Sequence, residues 1–306
     1  MNNVLIGVDK SGSFRVYLAV STALVEQARM IHNTTPLASA ALGRVLTGAG
    51  LMGLMLKNES DRLTVQFKGD GPAGEILASA DGSGHVKGYI SNPDVDLPNR
   101  PDGKLDVGGA LGIGNLTVIK DLGLKEPYVG RIALVSGEIA EDLTAYFFVS
   151  EQQSSSVALG VRVGTDCSVS AAGGLIIQML PGGKPEAVDA LEAMIADMKP
   201  ISTLVEEMQK NSAGKSGEGA LSDLCHAIFD GLPEEFQVEP LEFREISWHC
   251  GCSEARMEQG LLSIGEKDLR EIYEEDGQAE LVCQFCLKKY QFDKEHLKRL
   301  LDEISG

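Results

Sequence analysis

The sequence predicts an α+β protein with a mixed α/β N-terminal core domain, a helical linker and a small C-terminal module. Three observations indicate this fold class. Short β-prone runs fill most of the first 180 residues, apolar residues with helical spacing follow, and two close pairs of cysteines lie near the C-terminal end. A chain of 306 residues is also long enough to hold more than one domain.

Residues 1–180 are predicted to form the core domain. Their β-prone runs are separated by turn-forming residues and read RLTVQFKG, HVKGYI, NLTVIKDL, RIALVSG, TAYFFVS and SVALGVRV. The Ala/Leu/Met-rich stretch ASAALGRVLTGAGLMGLML is instead predicted to be a helix that packs on the sheets. The sequence GDGPAG, residues 69–74, is interpreted as a turn, because too few residues follow it for the crossover helix of a dinucleotide-binding fold.

Residues 181–245 are predicted to be a helical linker. Pro185 and Pro200 suit the first turns of two helices, and a third helix follows around Leu224. Such short helices, each no more than ~15 residues, need to dock against another part of the protein to be stable. The segment KNSAGKSGEG, residues 210–219, has no large apolar residue and is predicted to be mobile, and its Gly-Lys-Ser lacks the strand and first glycine of a phosphate-binding loop.

Residues 246–306 are predicted to form a small separate module. Ser253 can cap one helix, a second helix follows Gly265, two strands flank a turn at Gln284 and Phe285, and Asp293 can cap a final helix. A module of ~60 residues commonly needs a metal or disulfides, because its apolar core is small.

The four cysteines of this module are predicted to bind one zinc ion. Cys250 and Cys252 form a Cys-x-Cys pair, and Cys283 and Cys286 form a Cys-x-x-Cys pair after the thirty residues 253–282. Two such pairs can supply a tetrahedral set of four thiolates. His249 is interpreted as a solvated or second-shell residue, because four sulfurs already complete the set.

Several functions remain open for such a site. A closed zinc knuckle that only stabilises the module is one, although a disulfide across Cys-x-Cys would be strained, which favours a redox switch. A zinc ribbon that binds nucleic acid or protein is another. A thiol-disulfide oxidoreductase using Cys283 and Cys286 is a third, but the βαβ context of a thioredoxin-like fold is missing around that pair.

Charge and hydropathy narrow these alternatives. The 45 acidic and 27 basic residues give a formal net charge of −18, which argues against a nucleic-acid partner. The most apolar run, Val45–Leu56, is too short to span a bilayer, and the N-terminal sequence does not resemble a signal peptide. We therefore expect a cytoplasmic protein without a membrane partner, in which a cysteine cluster binds metal or does redox chemistry.

The cysteines lie within CGCSEAR, EEDGQAELVCQFC and KKYQF, and this arrangement resembles the redox-regulated 33 kDa heat-shock chaperones of the HslO-type family. The resemblance includes ALGRVLTGAGLMGLMLK, GDGPAGEI and GHVKGYISNP, so it covers nearly the whole chain. It implies a core domain, a metastable linker and a zinc-binding redox domain. It also implies an ATP-independent holdase, not an enzyme, that binds unfolding clients, forms a homodimer when activated, and is activated when oxidants replace zinc with disulfides. Both the ligand and the switch roles then fall on Cys250, Cys252, Cys283 and Cys286.

Two further hypotheses concern the cysteines. We expect oxidation to pair Cys250 with Cys252 and Cys283 with Cys286, which is one of three possible connectivities. Cys225, on an apolar helical face, and Cys167, in a strand-like segment, are predicted to be buried and inert.

Unfolding of the C-terminal module is expected to expose the apolar faces of the linker helices. These faces carry Val188, Leu191, Ile201, Leu204, Leu224 and Ile228.

Overall fold

The computed structural model describes residues 3–211 and 217–305, and the chain separates into two compact units, residues 1–249 and residues 250–306. Residues 212–216 lie outside the described residues; they hold the Gly-Lys-Ser tripeptide and the centre of the segment predicted to be mobile. Within the described ranges, no helix is both long and apolar enough to cross a membrane.

The first unit is built from two antiparallel-rich sheets and the helices that cover them. Its strands are β1 (Asn3–Asp9), β2 (Phe14–Val20), β3 (Arg62–Gly69), β4 (Glu75–Asp81), β5 (His85–Ile90), β6 (Gly114–Asp121), β7 (Tyr128–Ala133), β8 (Ser155–Val163), β9 (Val169–Met179), β10 (Val238–Glu245) and β11 (Ser247–Trp248). Its helices are α1 (Thr22–His32), α2 (Pro36–Gly53), α3 (Val107–Leu111), α4 (Ala140–Ser150), α5 (Pro185–Asp197), α6 (Ile201–Asn211) and α7 (Gly217–Phe229), with a 3₁₀ turn at Glu234–Phe236.

Helix α2 lies in the core between the two sheets. One sheet has the strand order β10-β1-β2-β9-β8, and the other has the order β11-β5-β4-β3-β6-β7, in which only β11 pairs in parallel. Thr35 caps α2 by accepting the Ala38 N–H, and Pro36 occupies its first turn. The helix is apolar on nearly all sides because side chains from both sheets surround it.

Helices α5, α6 and α7 form a layer on the other face of the first sheet, which we call the helix layer. The strand β2 is buried on both faces, and its alternate residues Phe14, Val16 and Leu18 point to this layer. Gly160 and Gly173 are paired across β8 and β9, and a Cβ at either would come within 3 Å of α6. The two glycines therefore let α6 approach the sheet closely.

The structure identifies what the linker helices dock against. Of the predicted apolar positions, Leu191, Ile201, Leu224 and Ile228 are buried and Leu204 is partly buried against the first sheet, while Val188 remains 38% exposed. The end of the predicted helical linker is not helical. Residues Val238–Glu245 form strand β10, which extends the same sheet by pairing with β1.

One predicted strand is wrong. The run TAYFFVS, residues 144–150, belongs to helix α4. Its buried residues Leu143, Tyr146 and Phe147 recur with helical spacing, and the Asp142 carboxylate accepts the N–H of Ile139 at 3.0 Å at the start of the helix. Helical periodicity together with this cap outweighs the β propensity of the aromatic residues.

The second unit contains α8 (Glu254–Ser263), α9 (Glu266–Glu275), the hairpin β12 (Ala279–Val282) and β13 (Lys289–Phe292), and α10 (Lys294–Ser305). The predicted caps are confirmed, since Ser253 accepts the Arg256 N–H and Asp293 accepts the His296 N–H. A small core holds the unit together and consists of Leu261, Leu269, Cys283, Tyr290, Phe292, Leu297, Leu300 and Leu301.

Candidate metal centre

Two loops of the second unit bring the four predicted cysteines together. Cys250 and Cys252 precede α8, and Cys283 and Cys286 lie in the turn between β12 and β13. All four Sγ atoms lie within 4.8 Å of one another. The Sγ atoms of Cys250 and Cys283 are 3.7 Å apart, and those of Cys252 and Cys286 are 3.4 Å apart.

Local hydrogen bonds fix both loops. The Arg256 guanidinium donates to the Gly251 carbonyl at 2.8 Å, which ties the Cys-x-Cys loop to the first turn of α8. In the hairpin, the Cys283 N–H donates to the Lys288 carbonyl at 3.0 Å and the Leu287 N–H donates to the Cys283 carbonyl at 2.8 Å. Leu287 adopts a positive φ of 58°, which closes this turn.

The sulfur positions fit a tetrahedral zinc site. Four sulfurs at ~2.3 Å from a central ion would be separated from one another by ~3.8 Å. The two observed separations of 3.7 and 3.4 Å are close to this value. The donor set consists only of sulfur, which suits zinc.

The surroundings of the sulfurs shift the pKa values of the cysteines in different directions. Burial raises the pKa of Cys250 to about 12 and also raises the pKa of Cys286. Burial acts in the same direction on Cys252, but hydrogen bonds from Tyr290 and from the other cysteines outweigh it and lower the pKa of Cys252 to about 7. A lower pKa favours the thiolate, which is the form that binds metal.

Sequence reasoning missed Tyr290 as a residue of this site. Its hydroxyl donates to Cys252 Sγ at 3.1 Å, and this bond raises the pKa of the tyrosine. In the sequence, Tyr290 and Phe292 alternate with polar residues, and this pattern places both on the buried face of β13. The pattern predicts a core position for Tyr290 but does not predict a contact with a cysteine.

Two histidines have other partners. His249 is exposed, and its ring stacks on that of His85 with centroids 4.5 Å apart. His296 forms a 2.5 Å hydrogen bond with Glu258 and lies 3.9 Å from Glu254, so that it ties α10 to α8.

The two remaining cysteines differ from each other. Cys225 is 2% exposed, as predicted, and burial raises its pKa to about 12. The prediction that Cys167 is buried is wrong, because Cys167 is exposed in the turn between β8 and β9 with a φ of 64°. The Cys167 N–H donates to the Gly164 carbonyl at 3.0 Å, which makes this segment a turn rather than a strand.

We expect the native protein to react with a maleimide at Cys167 first and not at Cys225. The reason is that Cys167 is open to solvent, whereas Cys225 is buried and its raised pKa disfavours the reactive thiolate. Mass spectrometry of peptides after short labelling measures the order, and Cys167→Ser should remove the fast phase. Equal labelling of Cys225 and Cys167 would contradict the described packing of α7.

Comparisons with known proteins give a consistent result. A family model described as Hsp33 protein matches residues 2–293. The 33 kDa chaperonin of Alkaliphilus oremlandii is 47% identical over 304 residues, covering 99% of this chain and 97% of the relative. That of Clostridioides difficile is 46% identical over 302 residues, covering 98% and 99%. The crystal structure of the 33 kDa chaperonin (heat shock protein 33 homolog) from Thermotoga maritima has a TM-score of 0.86 at 34% identity, covering 100% of this chain and 99% of that one.

Proposed function

The chain belongs to the Hsp33 family of chaperones, and from that membership we propose that it is a redox-regulated holdase. It binds unfolding proteins without ATP and prevents their aggregation during oxidative stress. The observation that carries the redox part of this proposal is the cluster of four sulfurs within 4.8 Å of one another.

In the reduced protein, Cys250, Cys252, Cys283 and Cys286 hold one zinc ion. When bound, zinc cross-links the loop before α8 to the β12–β13 hairpin and keeps the four sulfurs as thiolates. The small core of residues 250–306 supports this role, because so few buried side chains give limited stability without a cross-link.

Oxidation converts these metal donors into disulfides. With a peroxide as oxidant, one thiolate attacks an oxygen atom, the O–O bond breaks and hydroxide leaves. The second thiolate attacks the resulting sulfenic acid, so that an S–S bond forms and a second hydroxide leaves. Each disulfide transfers two electrons to one peroxide, and two protons convert the hydroxides to water. Disulfide sulfurs no longer act as thiolate ligands.

We propose that the disulfides are Cys250–Cys252 and Cys283–Cys286. The sulfur distances of the closed cluster do not select this pairing, since the contacts at 3.7 and 3.4 Å join one motif to the other. The support is sequence separation: once the cluster opens, cysteines one or two residues apart stay close, whereas cysteines about thirty residues apart must meet by loop closure.

We propose three functional regions: a core at residues 1–180, a metastable linker at 181–245 and a redox domain at 246–306. Clients would bind an exposed apolar surface, so no catalytic residue is assigned and the protein is not an enzyme. The expected setting is the cytoplasm, with a homodimer as the active form and with no nucleic-acid or membrane partner. The net charge of −18 supports the exclusion of nucleic acid.

Zinc content and suppression of client aggregation, each measured before and after oxidation, test this proposal. We expect one zinc per chain and weak suppression in the reduced protein, then loss of zinc and strong suppression after peroxide treatment. Reduction with added zinc should reverse both changes. If suppression is the same before and after zinc loss, the cluster is a closed structural knuckle and not a switch.

A further inference from the structure

The hydroxyl group of Tyr290 contacts the candidate metal centre. This hydroxyl lies 3.1 Å from Cys252 Sγ and donates a hydrogen bond to it. Among the described residues, the cysteine sulfurs contact one another, and Tyr290 is the other residue whose side chain forms a hydrogen bond with one of them.

The position of this hydroxyl is fixed by the fold. Tyr290 is 7% exposed, and it lies on β13 opposite Leu281 of β12. Its ring belongs to the core of the second unit, and the Lys288 ammonium lies 4.9 Å from the ring centroid. A nearby cation withdraws electron density from the ring, which makes the phenol a better hydrogen-bond donor. The fold therefore holds the Tyr290 hydroxyl in a fixed position from which it donates to the sulfur of Cys252.

We propose that Tyr290 is a positioning residue that slows the oxidation of Cys252 and thereby sets the sensitivity of the redox switch. Peroxide is attacked by a sulfur lone pair. The hydrogen bond from the Tyr290 hydroxyl to that lone pair draws electron density from Cys252 Sγ and lowers its nucleophilicity. The sulfurs of Cys250 and Cys286 accept the backbone N–H groups of Cys252 and Lys288 instead. An amide N–H is a less acidic donor than a phenol O–H, so it withdraws less electron density. The first attack on peroxide therefore occurs at a sulfur other than that of Cys252. Cys252 reacts in the second step, in which its thiolate attacks the sulfenic sulfur of Cys250 and the disulfide forms. This inference rests on the proposed redox function.

The full-length, zinc-loaded Tyr290→Phe variant tests the proposal. The change removes only the hydroxyl, so we expect hydrogen peroxide to release zinc about 3–10-fold faster, the effect of losing one hydrogen bond at a reacting atom. A chromogenic chelator reports the rate of release. Tyr273→Phe is the matched control, because Tyr273 packs on the same core with the Lys294 ammonium 5.1 Å from its ring, and it should release zinc at the wild-type rate.

Trapping of sulfenic acids separates this role from a purely structural one. With less than one equivalent of peroxide and a dimedone probe, the wild-type protein should be labelled least at Cys252, and Tyr290→Phe should shift label towards Cys252. Preferential labelling of Cys252 in the wild-type protein would overturn the proposal, even if the variant failed to fold. Unchanged release and labelling in a folded variant would also overturn it. Aggregation assays are run separately, so a failure of the holdase function would be seen as lost suppression without any change in these rates.

Discussion

Replacing Cys283 with serine is expected to abolish stoichiometric zinc binding and to unfold most of residues 250–305. Cys283 is the most buried of the four cysteines, at 5% exposure, and its sulfur lies 3.7 Å from that of Cys250. A serine hydroxyl stays protonated at neutral pH and does not replace a thiolate ligand. Structural zinc contributes on the order of 10–16 kcal/mol to small cysteine-rich modules, which is comparable to the ~5–15 kcal/mol stability of a whole domain.

Zinc analysis and amide hydrogen exchange measure this effect. Exchange in α8, α9, α10 and the β12–β13 hairpin should rise towards that of an unfolded chain, while α2 and the strands around it stay protected. Cys167→Ser is the matched control, because this thiol is exposed in the first unit and should leave one zinc per chain. Tight, stoichiometric zinc in a variant lacking both Cys250 and Cys252 would disprove the assignment of the four ligands.

The cysteine cluster could be predicted from the sequence because a four-sulfur site constrains the spacing of its ligands. The role of Tyr290 could not, because a tyrosine four residues after Cys286 looks like any buried strand residue until the register of β12 and β13 is known. The exposure of Cys167 could have been predicted from Gly164 and Asp166, since both residue types favour turns.

The course of the linker was only partly predictable. Short amphipathic helices indicate that some surface covers them, but sequence alone does not identify that surface. Strand β2 reads as apolar along nearly its whole length, which is the pattern of a strand covered on both faces. The helix layer covers the second face of β2. The sequence does not show this, because it depends on the packing of α7 on β1 and β2.

This packing predicts that loosening the helix layer activates the protein without an oxidant. Phe229 of α7 is 1% exposed, and its ring lies 6.5 Å from that of Phe14 on β2. Phe229→Ala should remove ~3–5 kcal/mol of packing energy. Every 1.4 kcal/mol is a tenfold change in an equilibrium, so the ratio of detached to docked helix layer should rise by roughly 10²- to 4 × 10³-fold. Detachment would expose the apolar faces of α5, α6 and α7. It would also expose the face of the first sheet that these helices cover, which includes Val16 and Leu18.

In reduced Phe229→Ala we therefore expect stronger binding of a hydrophobic dye, faster amide exchange in α5–α7 and measurable suppression of client aggregation, with one zinc still bound per chain. Zinc should remain because all four proposed ligands lie outside the helix layer, between residues 250 and 286. Phe148→Ala is the matched control, since that side chain on α4 is 68% exposed and its loss should change none of these quantities. If exchange and dye binding rise in Phe229→Ala but clients still aggregate until zinc is lost, then the surface under the helix layer does not bind clients, and the unfolded second unit must supply that surface instead.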